Sequence, residues 1–215
     1  MPQTTRPRKE RKENADKRRS QILDATCRSI VKNGLFRTTL AAVAKETGMS
    51  EGTAVFYFKT KNGLLSAALR RHYQTYEAHW MQALSASGDN PVDQLVTVLR
   101  AGFDPAICNA ETLAIWFAFW GEQKFTPQYA ETIREFDQRR SEALRGFCAR
   151  LLPGDPKGVG DLAEWIDTLT DGYWQHLHLY GDEFSAKDAL DGTLNFLCAQ
   201  LPDHAARIKA CEAEG

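Results

Sequence analysis

A glycine turn between two short helical segments constrains this chain more than any other feature of its sequence. Thr38 or Thr39 can cap the first segment, in which apolar residues repeat at i, i+3 and i+4. Gly48 can end that helix because glycine adopts a positive φ without a Cβ clash, and Ser50 can cap a second helix over residues 51–58. Two short helices joined in this way are typical of a helix-turn-helix.

The second of these helices begins with short side chains, so its N-terminal end can approach another surface closely. In helix-turn-helix proteins that end contacts base edges in the major groove, while lysine and tyrosine side chains reach phosphate oxygens. A plain helical hairpin inside a core is the alternative that the spacing leaves open. Under the DNA-binding interpretation the candidate contact residues are Thr39, Ser50, Glu51, Gly52, Thr53, Val55, Tyr57 and Lys61.

The residues around this turn resemble the DNA-binding domain of TetR-type repressors. The similarity covers residues 20–69, and it is carried by the run Gly48-Met49-Ser50-Glu51-Gly52-Thr53, by Phe56-Tyr57-Phe58, and by Lys61, Leu64 and Leu65. The resemblance implies a two-fold dimer. Such a dimer suits a near-palindromic double-stranded operator, with recognition helices about 34 Å apart.

Charge is distributed unevenly along the chain. Residues 1–62 carry 14 Lys and Arg against 6 Asp and Glu, whereas the remaining residues carry 13 and 22. A basic segment that coincides with the helix-turn-helix is the electrostatic footprint expected of a DNA-binding protein. The acidic remainder should not bind phosphate, and it favours a cationic small molecule.

The spacing of apolar residues predicts an all-α fold of about nine helices, with no strand alternation. The first helix is expected to begin near residue 14, and the eighth near residue 161 after a loop rich in proline and glycine. The predicted domains are a disordered basic arm (1–13), a helix-turn-helix domain (14–62), a ligand-binding and dimerisation domain (63–202) and a flexible tail (203–215). The arm can be a solvated tail, or it can enter the minor groove or rest on phosphate.

Aromatic and acidic residues recur on two predicted helices of the larger domain. Trp116 and Trp120 are spaced i, i+4, and Asp167, Asp171 and Trp174 share one face of another helix. A quaternary ammonium ion needs ring faces and a neutralising anion, so these residues predict a cation site. The alternative is an aromatic core in which Asp171 is satisfied by a hydrogen bond. The candidate ligand-binding residues are Trp116, Trp120, Asp171, Tyr173 and Trp174.

The larger domain also resembles the ligand domain of BetI-type regulators. The similarity is carried by Phe103-Asp104, the Trp116–Trp120 segment and Asp171-Gly172-Tyr173-Trp174. Members of that subgroup repress genes for glycine betaine synthesis and respond to choline, so the resemblance implies a choline-responsive repressor. A TetR-type repressor with another small apolar or cationic effector remains an alternative, as does an architectural DNA-binding protein without an effector.

The last two long helices are predicted to form a homodimer interface. Glycine permits close helix approach and leucine supplies apolar surface at Gly172, Leu190, Leu194 and Leu197. In the family that the chain resembles, the last two helices of each subunit form a four-helix bundle. Ordinary packing within one chain is the alternative.

The sequence offers little for catalysis, for a cofactor or for a metal. His176 and His178 are spaced i, i+2 and point to different helix faces, and no phosphate loop or GxSxG occurs. The five cysteines are far apart and form no CxxC pair, which indicates buried free thiols, with a redox sensor as the alternative. No apolar run approaches the roughly 18 residues of a membrane span, and the N-terminus lacks a secretory h-region, so retention in the cytoplasm is expected.

Overall fold

Every element in the described part of the chain, residues 8–181 and 183–213, is a helix in the computed structural model. The helices are α1 (Arg8–Arg37), α2 (Leu40–Glu46), α3 (Glu51–Phe58), α4 (Lys61–Ser85), α5 (Pro91–Phe103), α6 (Ala110–Glu122), α7 (Pro127–Leu151), α8 (Pro156–Tyr180), α9 (Ala186–Gln200) and α10 (Ala205–Ala213), with a 3₁₀ turn at Pro202–His204. The predicted all-α fold class is confirmed.

The chain divides into two compact units. The first contains the residues up to Arg71 together with Ala118–Tyr129, and the second contains His72–Phe117 and the chain from Ala130 onward. The boundary placed at residue 62 from the sequence falls at the start of α4. It lies earlier than the observed one because the apolar side chains Leu64 and Ala68 of α4 belong to the first unit's core.

The first unit is held by a small apolar core. Leu23 of α1, Val43 of α2, Phe58 of α3 and Leu64 of α4 are buried against one another. Burial of such side chains stabilises each by about 1.5–3 kcal/mol. This core fixes the orientation of α3, which carries the candidate DNA contacts.

A kink at Gly34, near the end of α1, changes the direction of the chain before α2 begins. Gly34 adopts φ 75°, a left-handed value that favours glycine. The buried Thr38 hydroxyl donates to the Gly34 carbonyl at 2.9 Å and lies 3.0 Å from the Ser29 hydroxyl. Thr38 therefore ties the end of α1 to the start of α2, and Thr39 rather than Thr38 caps α2.

Helix α1 begins earlier than predicted. It starts at Arg8 rather than near residue 14, so residues 8–13 of the predicted arm are helical, and residues 1–7 lie outside the described part. Lys, Arg and Glu favour helix, and adding residues to an existing helix avoids the cost of nucleation. No apolar stripe marks this extension in the sequence, because such helix formers need no buried face.

Helix α8 also begins earlier than predicted, at Pro156. Asp155 caps it by accepting a hydrogen bond from the Gly158 amide at 2.9 Å, and Pro156 occupies the first turn, where a missing N–H costs nothing. Gly158 and Gly160, which indicated a loop, therefore lie inside the helix, whereas Gly154 precedes it with φ 88°.

The predicted flexible tail is wrong for residues 203–213, which form the end of the 3₁₀ turn and α10. Ile208 is 1% exposed, and Arg207 makes a two-pronged ion pair with Asp93 of α5 at 2.7 and 2.6 Å. Arg207 lowers the pKa of Asp93 as a result. The pattern of α10 is too short to indicate burial, which comes from packing on α5 and α9.

The cysteines of the chain are free thiols. Burial raises the pKa of Cys108 and of Cys148 to about 11, and it raises that of Cys27 as well. Reactive cysteines need a lowered pKa, so these three are poor candidates for redox sensing. Among the described residues no helix is both long and apolar enough to cross a membrane.

Candidate functional site

The turn between α2 and α3 is built by local hydrogen bonds. Thr39 caps α2 by accepting from the Ala42 amide at 3.1 Å, and Ser50 caps α3 by accepting from the Thr53 amide at 3.2 Å. Between them Gly48 adopts φ 68°. Two caps and one left-handed residue therefore fix the angle at which α3 leaves the turn.

One face of α3 is buried and the other is open to solvent. Ala54 is fully buried, whereas Glu51 and Gly52 are exposed and Val55 is 40% exposed. The exposed residues lie at the N-terminal end of the helix, where short side chains permit close approach to a duplex. Their roles as base contacts remain predictions.

The predicted phosphate contacts are in different situations. Tyr57 is partly buried and packs against the core of the first unit. Lys61 donates from Nζ to the Phe36 carbonyl at 2.5 Å, and its Nζ lies 5.4 Å from the centre of the Phe36 ring. Lys61 is thus anchored to the end of α1, which the sequence pattern did not indicate.

Two exposed aromatic residues of the first unit were not among the predicted contacts. Phe56 is 69% exposed on α3, and Phe36 is 90% exposed beside Lys61. Lys59 Nζ lies 5.3 Å from the centre of the Phe56 ring. The signal that could have identified Phe56 is its place in the Phe56-Tyr57-Phe58 run that carries the family resemblance.

Tyr73, Tyr76 and Trp174 of the second unit pack around Trp116, which makes a group of four aromatic side chains. The Trp116 ring centre lies 4.1 Å from that of Tyr73, 6.1 Å from Tyr76 and 5.8 Å from Trp174, and Tyr76 and Trp174 are 5.2 Å apart. All four side chains are buried, and these residues are called the aromatic cluster below. Such distances are those of direct ring contacts, so the rings fill the space between them.

Hydrogen bonding orients Trp174 within the aromatic cluster. Its Nε1 donates to the Gly102 carbonyl of α5 at 3.0 Å. A Cβ on residue 102 would lie 3.4 Å from the Tyr76 hydroxyl, so the glycine keeps α5 close to the cluster. The hydrogen bond at Nε1 therefore fixes the orientation of the Trp174 ring against α5.

Charged groups of α7 and α8 lie beside the aromatic cluster. Arg140 Nη1 pairs with Asp167 Oδ1, and the charge of Arg140 also acts on Asp137, Asp171 and Tyr76. Desolvation opposes the charge on Arg140, but Tyr76 and the aspartates outweigh it and raise the pKa. These three aspartates and Arg140 are called the acidic cluster, whose fully ionised charge is negative.

Burial governs ionisation in the acidic cluster. It raises the pKa of Asp171 to about 7, with Arg140 lowering it and the other two aspartates raising it. It raises the pKa of Asp137 to about 6, while Arg140 and a hydrogen bond from Tyr73 lower it. Near neutral pH these groups therefore respond to a neighbouring charge by gaining or losing protons.

Asp171 and Asp137 are the members of the acidic cluster with exposed side chains, whereas Asp167 is half-buried and pairs with Arg140. Desolvation is nevertheless the largest influence on the pKa of both exposed carboxyl groups. Asp171 is the one that lies on α8 three residues before Trp174, so it is the exposed carboxyl group next to the aromatic cluster on the same helix.

Two predicted ligand residues do not join this arrangement as expected. Tyr173 stacks on Phe184 with centres 5.6 Å apart and touches Gly192 of α9, so it faces away from Trp174. Adjacent helical residues differ by about 100° in direction, which is why Tyr173 and Trp174 contact different neighbours, and the role of Tyr173 as a ligand wall stays a prediction. Trp120 belongs to the first unit, and its role as a ligand wall stays a prediction.

The predicted dimer residues are likewise divided. Leu194 is 2% exposed and Leu197 is 0% exposed within the single chain, so neither is available to a partner and that prediction is wrong. Both are buried because α9 packs against α5, α8 and α10. Gly172 is exposed and Leu190 is partly exposed, and their roles in an interface stay predictions.

An open apolar groove of about 540 Å³ follows α8 and α9 instead. Trp165, 47% exposed, lies along it opposite Phe196, with ring centres 6.3 Å apart. We call it the α8–α9 groove, and its lining residues are Trp165, Thr168, Leu169, Gly172, Tyr173, His176, Phe184 and Phe196.

Both units match known family models. Residues 22–68 match the model described as bacterial regulatory proteins of the tetR family. Residues 91–202 match the model described as BetI-type transcriptional repressor, C-terminal. The chain belongs to the TetR family, in its BetI-type branch. It is a transcriptional regulator, as the resemblance of its helix-turn-helix implied.

Individual relatives agree with the TetR assignment. The HTH-type transcriptional regulator BetI of Stenotrophomonas maltophilia is 32% identical over 184 residues, which cover 86% of this chain and 93% of that protein. A putative transcriptional regulator from Pseudomonas aeruginosa has the same fold, with a TM-score of 0.78, 16% identity and coverage of 90% and 94%. A putative regulator from Saccharomonospora viridis, solved in complex with choline, has a TM-score of 0.74, 19% identity and coverage of 85% and 96%.

Several residues of this BetI-type unit were missed from the sequence. Tyr73 and Tyr76 are spaced i, i+3 on α4, and Asp137 and Arg140 are spaced i, i+3 on α7. Each pair was a visible signal of a shared helix face. Periodicity cannot say which faces of separate helices meet, so neither pair could be joined to Trp116.

Proposed function

We propose that this protein is a repressor that leaves its operator when choline binds to the second unit. The support is the chemistry of the aromatic and acidic clusters, together with the relatives named BetI and the fold neighbour that holds choline. As a transcriptional regulator that binds DNA, the protein would act in the cytoplasm.

The observation that carries the proposal is the position of Asp171 beside Tyr76 and Trp174. A trimethylammonium head cannot donate ordinary hydrogen bonds, so it is bound by ring faces and a nearby anion. Asp171 supplies an accessible carboxyl group, and Tyr76 and Trp174 are in ring contact at 5.2 Å. We expect the cation to enter at Asp171 and to replace ring–ring contacts with ring–cation contacts, each contributing about 0.5–2 kcal/mol.

Calorimetric titration of the isolated protein tests this site. Choline should bind, and 3,3-dimethylbutan-1-ol, its uncharged isostere, should bind at least about tenfold more weakly because it lacks the cation–carboxylate and cation–ring attraction. Asp171→Asn should weaken choline binding, whereas Glu164→Gln, which alters an exposed carboxylate of the same helix, should not. Equal binding of choline and its neutral isostere would remove the cation site.

The homodimer is proposed to form through the α8–α9 groove. The exposed Trp165 lines it together with the half-buried Leu169, Phe184 and Phe196, and contiguous apolar patches of this kind mark interaction sites. A two-fold axis through this face would pair the partner's equivalent groove with it, as an isologous interface requires. Two copies of α3 could then contact successive major grooves of a near-palindromic operator.

At the operator, the N-terminal end of α3 is proposed to contact base edges. Glu51, Gly52 and Val55 are exposed there, and Thr53 is partly exposed. Tyr57 and Lys61 are proposed to contact phosphate, as are the cap residues Thr39 and Ser50 at the start of each helix. Such contacts fix register, whereas base contacts provide sequence preference.

A further inference from the structure

Three buried donor atoms border the proposed effector site, and the structure gives them no hydrogen-bond partner. They are the Tyr76 hydroxyl, Arg140 Nε and Trp116 Nε1. Tyr76 is 7% exposed and Trp116 is 1% exposed. Leaving a buried polar group without a partner is unfavourable because the group has lost its hydrogen bonds to water, so several such groups in one place call for a common explanation.

The three donors belong to one neighbourhood. The rings of Tyr76 and Trp116 are in edge-to-face contact with centres 6.1 Å apart. Arg140 is close enough to Tyr76 to lower the pKa of its hydroxyl against the raising effect of burial. A side-chain hydrogen bond from Arg140 also contributes to that lowering, but its geometry satisfies neither the Tyr76 hydroxyl nor Arg140 Nε. A tyrosine oxygen that accepts from Arg140 still has its own O–H to donate.

We propose that Tyr76, Arg140 and Trp116 form a donor end of the effector site that binds an oxygen atom of the ligand. This proposal rests on the proposed cation site and names the class of ligand it selects. The rings and Asp171 bind the trimethylammonium head. The donor end donates hydrogen bonds to a hydroxyl oxygen at the other end of the ligand. The site therefore discriminates choline from quaternary ammonium ions that are apolar at the other end.

The charge around the donor end favours a neutral oxygen over a carboxylate. Asp137, Asp167 and Asp171 all lie within electrostatic reach of Arg140 and already balance its charge. A ligand carboxylate would meet their repulsion, whereas a hydroxyl would not. Choline fits both ends, because it is cationic at one end and neutral and polar at the other.

The test compares choline with propyltrimethylammonium, in which a methyl group replaces the hydroxyl at nearly the same size. The wild-type protein should prefer choline by at least about tenfold, because the apolar ligand leaves the donors unpaired. Tyr76→Phe should reduce that preference to within about twofold, mainly because the variant binds choline more weakly. Tyr129→Phe alters a buried tyrosine of the first unit and should leave the preference unchanged.

The outcomes separate this proposal from the one on which it rests. If the wild type binds both cations equally, or if Tyr76→Phe keeps the full preference for choline, the donor end is refuted while the cation site stands. If neither cation binds, the cation site itself fails. Tyr76→Phe should also melt no lower than the wild type, since it removes a hydroxyl that no protein group satisfies.

Discussion

The Tyr173 ring of α8 lies directly against Gly192 of α9. A Cβ on residue 192 would overlap the Tyr173 hydroxyl and come within 2.9 Å of its Cζ atom. Gly192→Ala should therefore separate α8 from α9 and lower the free energy of unfolding by about 1–3 kcal/mol. Chemical denaturation measures this. Gly146→Ala is the matched control: a Cβ there meets nothing within 4 Å, and alanine favours helix, so it should not destabilise.

Asp171 should lower the free energy of unfolding at neutral pH, because its environment in the folded protein disfavours the ionised carboxylate. Its pKa rises from 3.8 to about 7 on folding, so the native state holds a proton that the unfolded state has released. Stability is then lost as the pH rises between these values, and Asp171→Asn should restore it. The charged groups that act on it are Arg140, Asp137 and Asp167, and its own charge acts on Tyr76.

The expected gain of Asp171→Asn at pH 8 is about 1 kcal/mol, or roughly 2–4 °C in Tm, held down by the water-accessible surface of the side chain. At pH 4 the gain should disappear. Thermal melting at both pH values checks this, and a variant that melts lower than the wild type at pH 8 would contradict it. Choline binding by the same variant should be weaker, since stability and cation affinity oppose one another here.

Trp165→Glu should convert the protein to monomers with poor operator affinity. A charge in the α8–α9 groove would be buried without a partner on dimerisation, at a cost of several kcal/mol. Analytical ultracentrifugation with circular dichroism checks that the monomer stays folded. Leu194→Glu is the contrasting variant, because Leu194 is inside the chain and the change should unfold it. A folded, intact Trp165→Glu dimer would place the interface elsewhere.

Lys61→Ala should weaken binding to every DNA sequence by a similar factor. Loss of one phosphate contact per subunit should lower the slope of log affinity against log salt by about one unit for each site. Operator binding measured at several salt concentrations gives this slope. An unchanged slope would mean that Lys61 serves only to hold Phe36.

The helix-turn-helix was predictable because its capping residues and its turn glycine act over a few residues and agree with the observed packing. The caps Thr39 and Ser50 and the turn at Gly48 are set within a few residues, so their sequence specified them. The first residues of α1 and α8 and the whole of α10 were not predictable. Charged helix formers, and glycines next to a cap, resemble loops in a sequence when the tertiary packing is unknown.

The effector site was only partly predictable for a different reason. Trp116 and Trp174 carry a strong aromatic signal, and the structure brings them into contact. Arg140 and Tyr76 carry no special signal, because their importance lies in which helix they meet. Leu194 was misjudged by the same limitation: an apolar helix face packs equally well on its own chain or on a partner.

Operator release by choline is the most direct test of the whole account. A labelled operator bound to the dimer is titrated with choline while fluorescence anisotropy reports the bound fraction. The account predicts that choline weakens operator affinity by roughly 5–150-fold, a coupling of about 1–3 kcal/mol. Asp171→Asn should need more choline for the same release. Choline that binds the protein without changing operator affinity, or that does not bind at all, would contradict the account.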